Sequence, residues 1–284
     1  MLSIIISTYK SDLFQQLSQN IAETIGSIDY EIIPINNPGI MGICEAYNLG
    51  AGKANFSNFL FLHEDVKFHT ENWGLILTNH LSEKEAGVIG VAGSSYVPKT
   101  PSGWHLPDNK YNYLNIIQRD AVGKTIHEQI NHTKKSLIFA VDGVFLAVTK
   151  KVFEEFKFNT SLKGFHGYDS DFSLRISKKY TNYFVPDILL EHFSIGNPDK
   201  IWFNNNILVR KFVGNNYNSD KDIQLEGNLY MKFLYQFYTY YPANIKNIFL
   251  VLRFLPFNLS KKKYSEILKF FKIIIRYPKA FYKA

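Results

Sequence analysis

The chain has 284 residues, of which 46% are apolar and 20% charged, and it carries a net charge of +7. That balance excludes a disordered or fibrous chain, and the length suffices for one large or two modest domains with buried cores. The single cysteine, Cys44, excludes an internal disulfide and cysteine-based zinc sites, and it points to a reducing compartment.

Leu2 to Ser7 is a β-branched apolar run and predicts an opening strand that ends at Thr8-Tyr9. Ser11 and Asp12 suit the cap of a helix running to about Thr24. Tyr30 to Ile35 reads as a second strand, closed by the turn residues Asn36-Asn37-Pro38-Gly39. Ile43 to Ala54 reads as a helix, Asn58 to Leu62 as a strand running into His63-Glu64-Asp65, Trp73 to Leu81 as a helix and Gly87 to Ala92 as a strand. Alternating strands and helices of this kind predict βαβ units and a largely parallel sheet covered on both faces.

From Gly93 to about Lys135 the pattern dissolves into prolines, asparagines and aromatics, including Trp104, and predicts a long functional loop region. Order resumes with a strand over Leu137 to Val148 that carries Asp142-Gly143. A short helix near Lys151 to Phe156 and another from Tyr168 to Lys179 follow, with strands near Tyr183 to Val185 and Ile188 to His192. Beyond Pro198 the pattern is helical only, over roughly 200–214, 222–240, 243–254 and 261–276. The turn residues Gly196, Asn197 and Pro198 coincide with a charge switch. Residues 1–199 hold 17 Lys/Arg against 21 Asp/Glu, and residues 200–284 hold 15 against 4. The expected division is a domain over 1–199 and a basic helical region over 200–284. The opening Met-Leu-Ser-Ile-Ile-Ile-Ser is too short an apolar run for a signal peptide, and the longest apolar stretch, 248–259, is broken by Arg253 and Pro256. The expectation is a soluble or at most peripheral protein.

Three segments carry candidate chemistry. His63-Glu64-Asp65 follows a buried strand, where carboxylates in an open α/β sheet can hold a divalent cation and its phosphate ligand; a plain solvated turn is the other reading. Asp169 and Asp171 sit in a first helical turn, where the dipole favours their ionised form. One of them can serve as a general base, and an ordinary helix start explains them equally. His192 ends an apolar strand and is either a buried, hydrogen-bonded residue or a metal ligand. No phosphate loop, dinucleotide fingerprint or nucleophile elbow is present.

In this order the pieces resemble the family-2-like inverting glycosyltransferases of the GT-A fold. The resemblance runs through Ser3 to Tyr9, Glu31 to Asn37, Gly42 to Gly50, Phe59 to Asp65, Asp142-Gly143 with Phe153, Phe165 to Arg175, and His192 with Gly196. It implies an α/β fold, a Rossmann-like mixed sheet flanked by helices, with a C-terminal helical extension. It implies an enzyme that moves a sugar from a nucleotide-diphosphate donor, a UDP-sugar in the favoured case, to a glycan or lipid-linked acceptor with inversion, as in polysaccharide biosynthesis. Asp65 and His192 would hold Mn2+ or Mg2+, and Asp169 would be the base. Thr8, Tyr9, Asn36, Asn48, His63, Glu64 and Asp65 would meet the donor. Trp104, Asp142, Gly143 and Asp171 would meet the acceptor. Asn36 and His63 stand where the family commonly has acids, which keeps a non-catalytic glycan-binding homologue as the alternative, with a glycoside hydrolase behind it.

The last helix interleaves Ile267, Phe270, Phe271 and Ile274 with Lys269, Lys272 and Arg276. Such a basic amphipathic helix fits an anionic membrane surface at the cytoplasmic face, or an ordinary packed helix with a basic outer side. No nucleic-acid module accompanies the charge, so nucleic acid is not an expected partner.

Overall fold

The computed structural model describes residues 1–119, 123–194, 196, 198–218 and 220–283. Asn197, part of the expected boundary turn, lies outside the described residues. The chain divides into two compact units, one of residues 1–96 and 104–198 and one of residues 97–103 and 199–284. The second unit thus takes a short piece from the middle of the chain as well as the C-terminal helices.

The first unit opens with β1 (Leu2–Thr8), α1 (Ser11–Thr24), β2 (Tyr30–Asn36), α2 (Ile43–Ala51), β3 (Asn58–Leu62), β4 (Val66–Phe68), α3 (Trp73–Leu81), β5 (Ala86–Gly90) and β6 (Ala92–Ser94). It continues with β7 (Asn112–Arg119), β8 (Thr125–Ile130), β9 (Ser136–Ile138), β10 (Ala140–Val141), β11 (Phe145–Thr149), α4 (Lys150–Phe156), α5 (Tyr168–Ile176), β12 (Thr181–Phe184) and β13 (Leu190–His192). Among the described residues, one sheet has the order β2-β1-β3-β11-β5-β12-β9 and a second the order β10-β6-β7-β13-β4, with β8 paired to β7. The first sheet is mixed. β1 lies parallel to β2 and β3, whereas β11 is antiparallel to β3 and β5. The expected single strand over 137–148 is three short strands in two sheets. The expected loop region over 93–135 contains the antiparallel pair β7 and β8.

The apolar runs of β1, β3 and β11 are buried because both faces of the first sheet are covered. The close approach of α2 to the sheet depends on Gly50, where an added Cβ would lie 2.3 Å from Ile5. That glycine is a packing device, not a phosphate-binding one. Trp73 stacks on Phe68 at 4.0 Å and donates to Thr24 Oγ1 at 3.0 Å, so the largest core side chain leaves no polar atom unsatisfied.

The second unit holds α6 (Lys200–Val213), α7 (Ile223–Tyr240), α8 (Ile245–Leu252) and α9 (Lys261–Arg276) around an aromatic core of Phe203, Tyr230, Phe233, Phe237, Phe254 and Phe270. Its 97–103 segment is fastened by backbone bonds between Val97 and the Asn218 amide and by Lys99 N–H donating to Glu226. Among the described residues no helix is long and apolar enough to cross a membrane.

Candidate active site

Strand register gathers residues from four parts of the first unit. β3 ends at Leu62 and delivers His63-Glu64-Asp65. β11 runs antiparallel to β3 with Phe145 opposite Leu62, which sets Asp142 and Gly143 beside that end, and His63 N–H donates to Val144 O at 3.3 Å. β13 runs antiparallel to β4 with His192 opposite Val66, so His192 arrives next to Asp65. Phe193 N–H donates to Asp65 O at 2.9 Å and closes that pair.

The donor atoms of His63, Asp65 and His192 all lie within 4.8 Å of one another. Asp65 Oδ1 is 3.8 Å from His63 Nδ1 and 3.6 Å from His192 Nε2. Two imidazoles and one carboxylate facing one point, part-exposed to solvent, can hold a divalent metal ion. Burial pushes the Asp65 carboxyl up, but the hydrogen bond to His192 and the neighbouring imidazoles outweigh it and hold the group below the usual carboxylate range. Loss of water around His63 and the nearby His192 lower its imidazole, which keeps the ring neutral and able to ligate.

The proton position on the His63 ring follows from its partners. Tyr168 Oη donates to Gly143 O at 3.1 Å and has only that one proton. Burial pushes this phenol well above its usual value, so it stays protonated. It must then accept from His63 Nε2–H, 2.7 Å away, which leaves Nδ1 bare toward Asp65. His192 Nδ1 lies 3.4 Å from Gln118 Oε1, and its Nε2 lies 3.1 Å from Ser194 Oγ and 3.6 Å from Asp65 Oδ1. Gln118 itself is held by the carbonyls of His192 and Ser194.

Glu64 is buried, and its Oε2 accepts from Thr8 Oγ1 at 2.5 Å, Tyr9 N–H at 3.1 Å and Lys10 N–H at 3.3 Å. These bonds fix the two residues that lead into α1, while Ser11 and Asp12, expected as caps, lie inside the helix. The residue before α1 is Lys10, and it has no side-chain cap of its own. The second oxygen of Glu64, Oε1, is buried without a hydrogen-bond partner among the described residues.

Asp169 enters from the first turn of α5, beside Gly143. Burial and the like charge of Asp142 push its carboxyl up to about 7, although backbone N–H groups oppose the rise. Asp142 is braced on both oxygens, by Trp104 Nε1–H at 2.5 Å and Val144 N–H at 2.8 Å. Gly143 has no room for a side chain, since a Cβ would lie 2.2 Å from Tyr168 Oη and 3.2 Å from Asp169 Cβ. Gly143→Ala is therefore expected to cost about 1–3 kcal/mol of stability by overpacking, read from urea denaturation, and to lower activity by displacing Tyr168 and Asp169.

The remaining sequence candidates divide. Thr8, Tyr9 and Glu64 come together at the end of β1. Tyr9 is exposed there. Asn36 ends β2 and is exposed, whereas the neighbouring Asn37 is buried and pins the turn through both backbone atoms of Met41. Asn48 is spent on bracing Phe158, whose N–H and carbonyl take both ends of its amide. Asp171 is fully buried and bonded to Arg175 at 2.8 Å, and Arg175 in turn holds the carbonyls of Phe156 and Lys157. Neither Asn48 nor Asp171 is brought to the His63–Asp65–His192 group by any of these bonds. Tyr168, Gln118 and Ser194 were not expected from the sequence. Their partners lie 105, 74 and 2 residues away, and only the Ser194 spacing is visible locally.

Three comparisons bear on this arrangement. A profile of the Glycosyltransferase like family matches residues 3–227. No curated protein matches. Among solved structures, GalNAc-T7 with UDP, GalNAc and Mn2+ matches with a TM-score of 0.53 and 14% identity over 98% of this chain. The chain spans 58% of that protein's length. S. aureus TarS residues 1–349 match with a TM-score of 0.53 and 11% identity, covering 90% of this chain and 81% of that one. The mixed sheet and its flanking helices are the GT-A fold of these glycosyltransferases. With the profile spanning most of the sequence and the fold agreeing with it, the chain belongs to the Glycosyltransferase like family.

Proposed function

We propose that the chain transfers a sugar from a UDP-sugar to an acceptor hydroxyl with inversion at the anomeric carbon. The observation that carries this reading is one carboxyl with raised proton affinity, Asp169, packed beside the braced Asp142-Gly143 turn, whose carbonyl is bonded through Tyr168 to the His63–Asp65–His192 group.

His63, Asp65 and His192 would hold a divalent cation, which supplies charge neutralisation to a departing diphosphate. Glu64 Oε1 would accept a donor hydroxyl, while its other oxygen keeps the Thr8–Lys10 loop in place. Asp169 would take the proton of the acceptor hydroxyl. That oxygen would then form the new bond to the anomeric carbon as the bond from carbon to the diphosphate oxygen breaks on the opposite face. A base that titrates at about 7 is matched to this work, because about half of it is ionised at neutral pH and it still holds a proton well. The acceptor is a glycan or a lipid-linked glycan, met by the Trp104 and Asp142 side of the site. Trp104 offers an aromatic face of the kind that covers a sugar ring.

The experiment is a thermal-shift screen of UDP, GDP, dTDP and CMP, each with Mn2+, Mg2+ or EDTA. UDP is expected to raise the melting temperature with Mn2+ and not with EDTA. At a concentration 100 times its dissociation constant it adds about 2.7 kcal/mol of stability. A melt indifferent to every nucleotide, with or without metal, would remove the donor from the reading.

A further inference from the structure

We infer that α8, α9 and the residues after α9 form a docking face for an anionic lipid bilayer. The second unit has two unpartnered features that belong together. α9 buries Ile267, Phe270, Phe271 and Ile274 in the core of that unit, and the opposite side presents Lys261, Lys262, Lys269, Lys272 and Arg276 to solvent. The one acid of the helix, Glu266, is bonded to Lys263 at 2.7 Å and also faces Lys262 and Lys269, and one carboxylate leaves the row of five cations strongly positive. α8 shows the reverse pattern. Ile245, Phe249 and Leu252 lie at spacings of four and three on one exposed stripe, with Ile245 75% and Phe249 70% exposed.

The two helices are tied at one end. Ala243 N–H, just before α8, donates to Pro278 O, just after α9, at 2.8 Å, and Lys283 N–H donates to Thr239 O at 3.0 Å. That end brings Ile245 and Lys246 to the neighbourhood of Ile275, which is 63% exposed, Arg276 and Lys279. Exposed aliphatic and aromatic tips among cations are costly in water and useless against a phosphodiester strand, which asks for cations and flat stacking surfaces. An anionic bilayer satisfies both features. The cations meet lipid phosphates while Ile245, Phe249 and Ile275 enter the acyl boundary. The inference is independent of the sugar-transfer reading, because it requires no donor and no residue of the first unit.

Vesicle flotation of the full chain tests it, with phosphatidylcholine vesicles that contain or lack phosphatidylglycerol. The chain is expected to float with the anionic vesicles only, and the partition should fall steeply toward about 1 M salt, where screening shortens to about 3 Å. Each cation contributes roughly five-fold, so the charge reversals Lys269→Glu/Lys272→Glu/Arg276→Glu should weaken binding by at least about 100-fold. Ile245→Ser/Phe249→Ser should weaken it roughly tenfold or more at unchanged charge. All five positions are exposed, and an unchanged melting temperature confirms that the variants fold. Absence of flotation with anionic vesicles overturns the inference. So does flotation that survives both variants. Binding of a single-stranded RNA oligonucleotide that is insensitive to Ile245→Ser/Phe249→Ser, without vesicle binding, would reassign the face to nucleic acid.

Discussion

Asp169→Asn is expected to reduce sugar transfer by roughly 10²–10⁴-fold while leaving the Mn2+-dependent UDP melting shift intact. The substitution keeps the size of the side chain and removes the carboxyl proposed as the base. The wild-type rate should rise as pH increases toward about 7 and level off above it, since the carboxyl must be ionised to act. The residual rate of the variant should lack that rise. The same substitution should stabilise the protein. The folded-state affinity of Asp169 for its proton is above that of an unfolded aspartate, near 3.9. Between about pH 4 and 7 the folded protein therefore binds more protons than the unfolded chain, and stability falls as pH rises through that window. Asparagine carries no such charge beside Asp142, so the variant should melt higher than the wild type at pH 8 and equally at pH 4. A scan of melting temperature against pH for both proteins reads the difference. Equal melting curves with lost activity would mean that burial and Asp142 do not strain this carboxyl, and the choice of Asp169 as base would lose its electrostatic ground.

The sequence was legible where the physics is local. β1 and β3 are apolar runs because both faces of the sheet are covered, and α1 and α3 begin and end close to where their patterns do. Asp65, His192 and Asp169 stood out because each follows or opens a regular element. The β7–β8 pair was not legible. β8 is largely exposed along the sheet edge, so Thr125, His127 and Glu128 break the alternation that marks a half-buried strand. The long strand expected over 137–148 fails for a related reason. Its apolar run is interrupted only by Asp142-Gly143, and at that turn the chain passes from one sheet to the other. Glu64 and Tyr168 show what periodicity cannot reveal. A buried glutamate that holds the backbone of Tyr9, 55 residues earlier, and a tyrosine that sets the tautomer of a histidine 105 residues away, are facts of register between strands. Asn48 and Asp171 show the converse. Both are polar residues in suggestive positions whose hydrogen bonds are consumed by backbone bracing and by Arg175.

Removing a carboxylate from the His63–Asp65–His192 group should have the second large effect, and its detail depends on the imidazoles. Asp65→Ala is expected to abolish the Mn2+ requirement of the UDP melting shift by abolishing the shift itself, and to lower Mn2+ affinity at least 10²-fold by titration calorimetry. A larger loss than the 10–100-fold typical of outer partners is expected because Asp65 is the only anionic member of the set. The group as built has two imidazole nitrogens and one carboxylate oxygen, and nitrogen ligands favour Mn2+ and the later transition metals over Mg2+, which prefers oxygen. His63→Asp should therefore move the preference toward Mg2+, provided the carboxylate reaches the same point. It also deprives Tyr168 of its donor, so a separate control is needed. Tyr168→Phe keeps His63 and removes the bond that fixes its proton on Nε2. With the tautomer released, Mn2+ affinity should fall by roughly 10–100-fold at unchanged Mn2+-over-Mg2+ preference, the result expected of an outer partner. If Tyr168→Phe binds Mn2+ as tightly as the wild type, His63 is not a ligand, and its ring belongs to the donor side of the pocket instead.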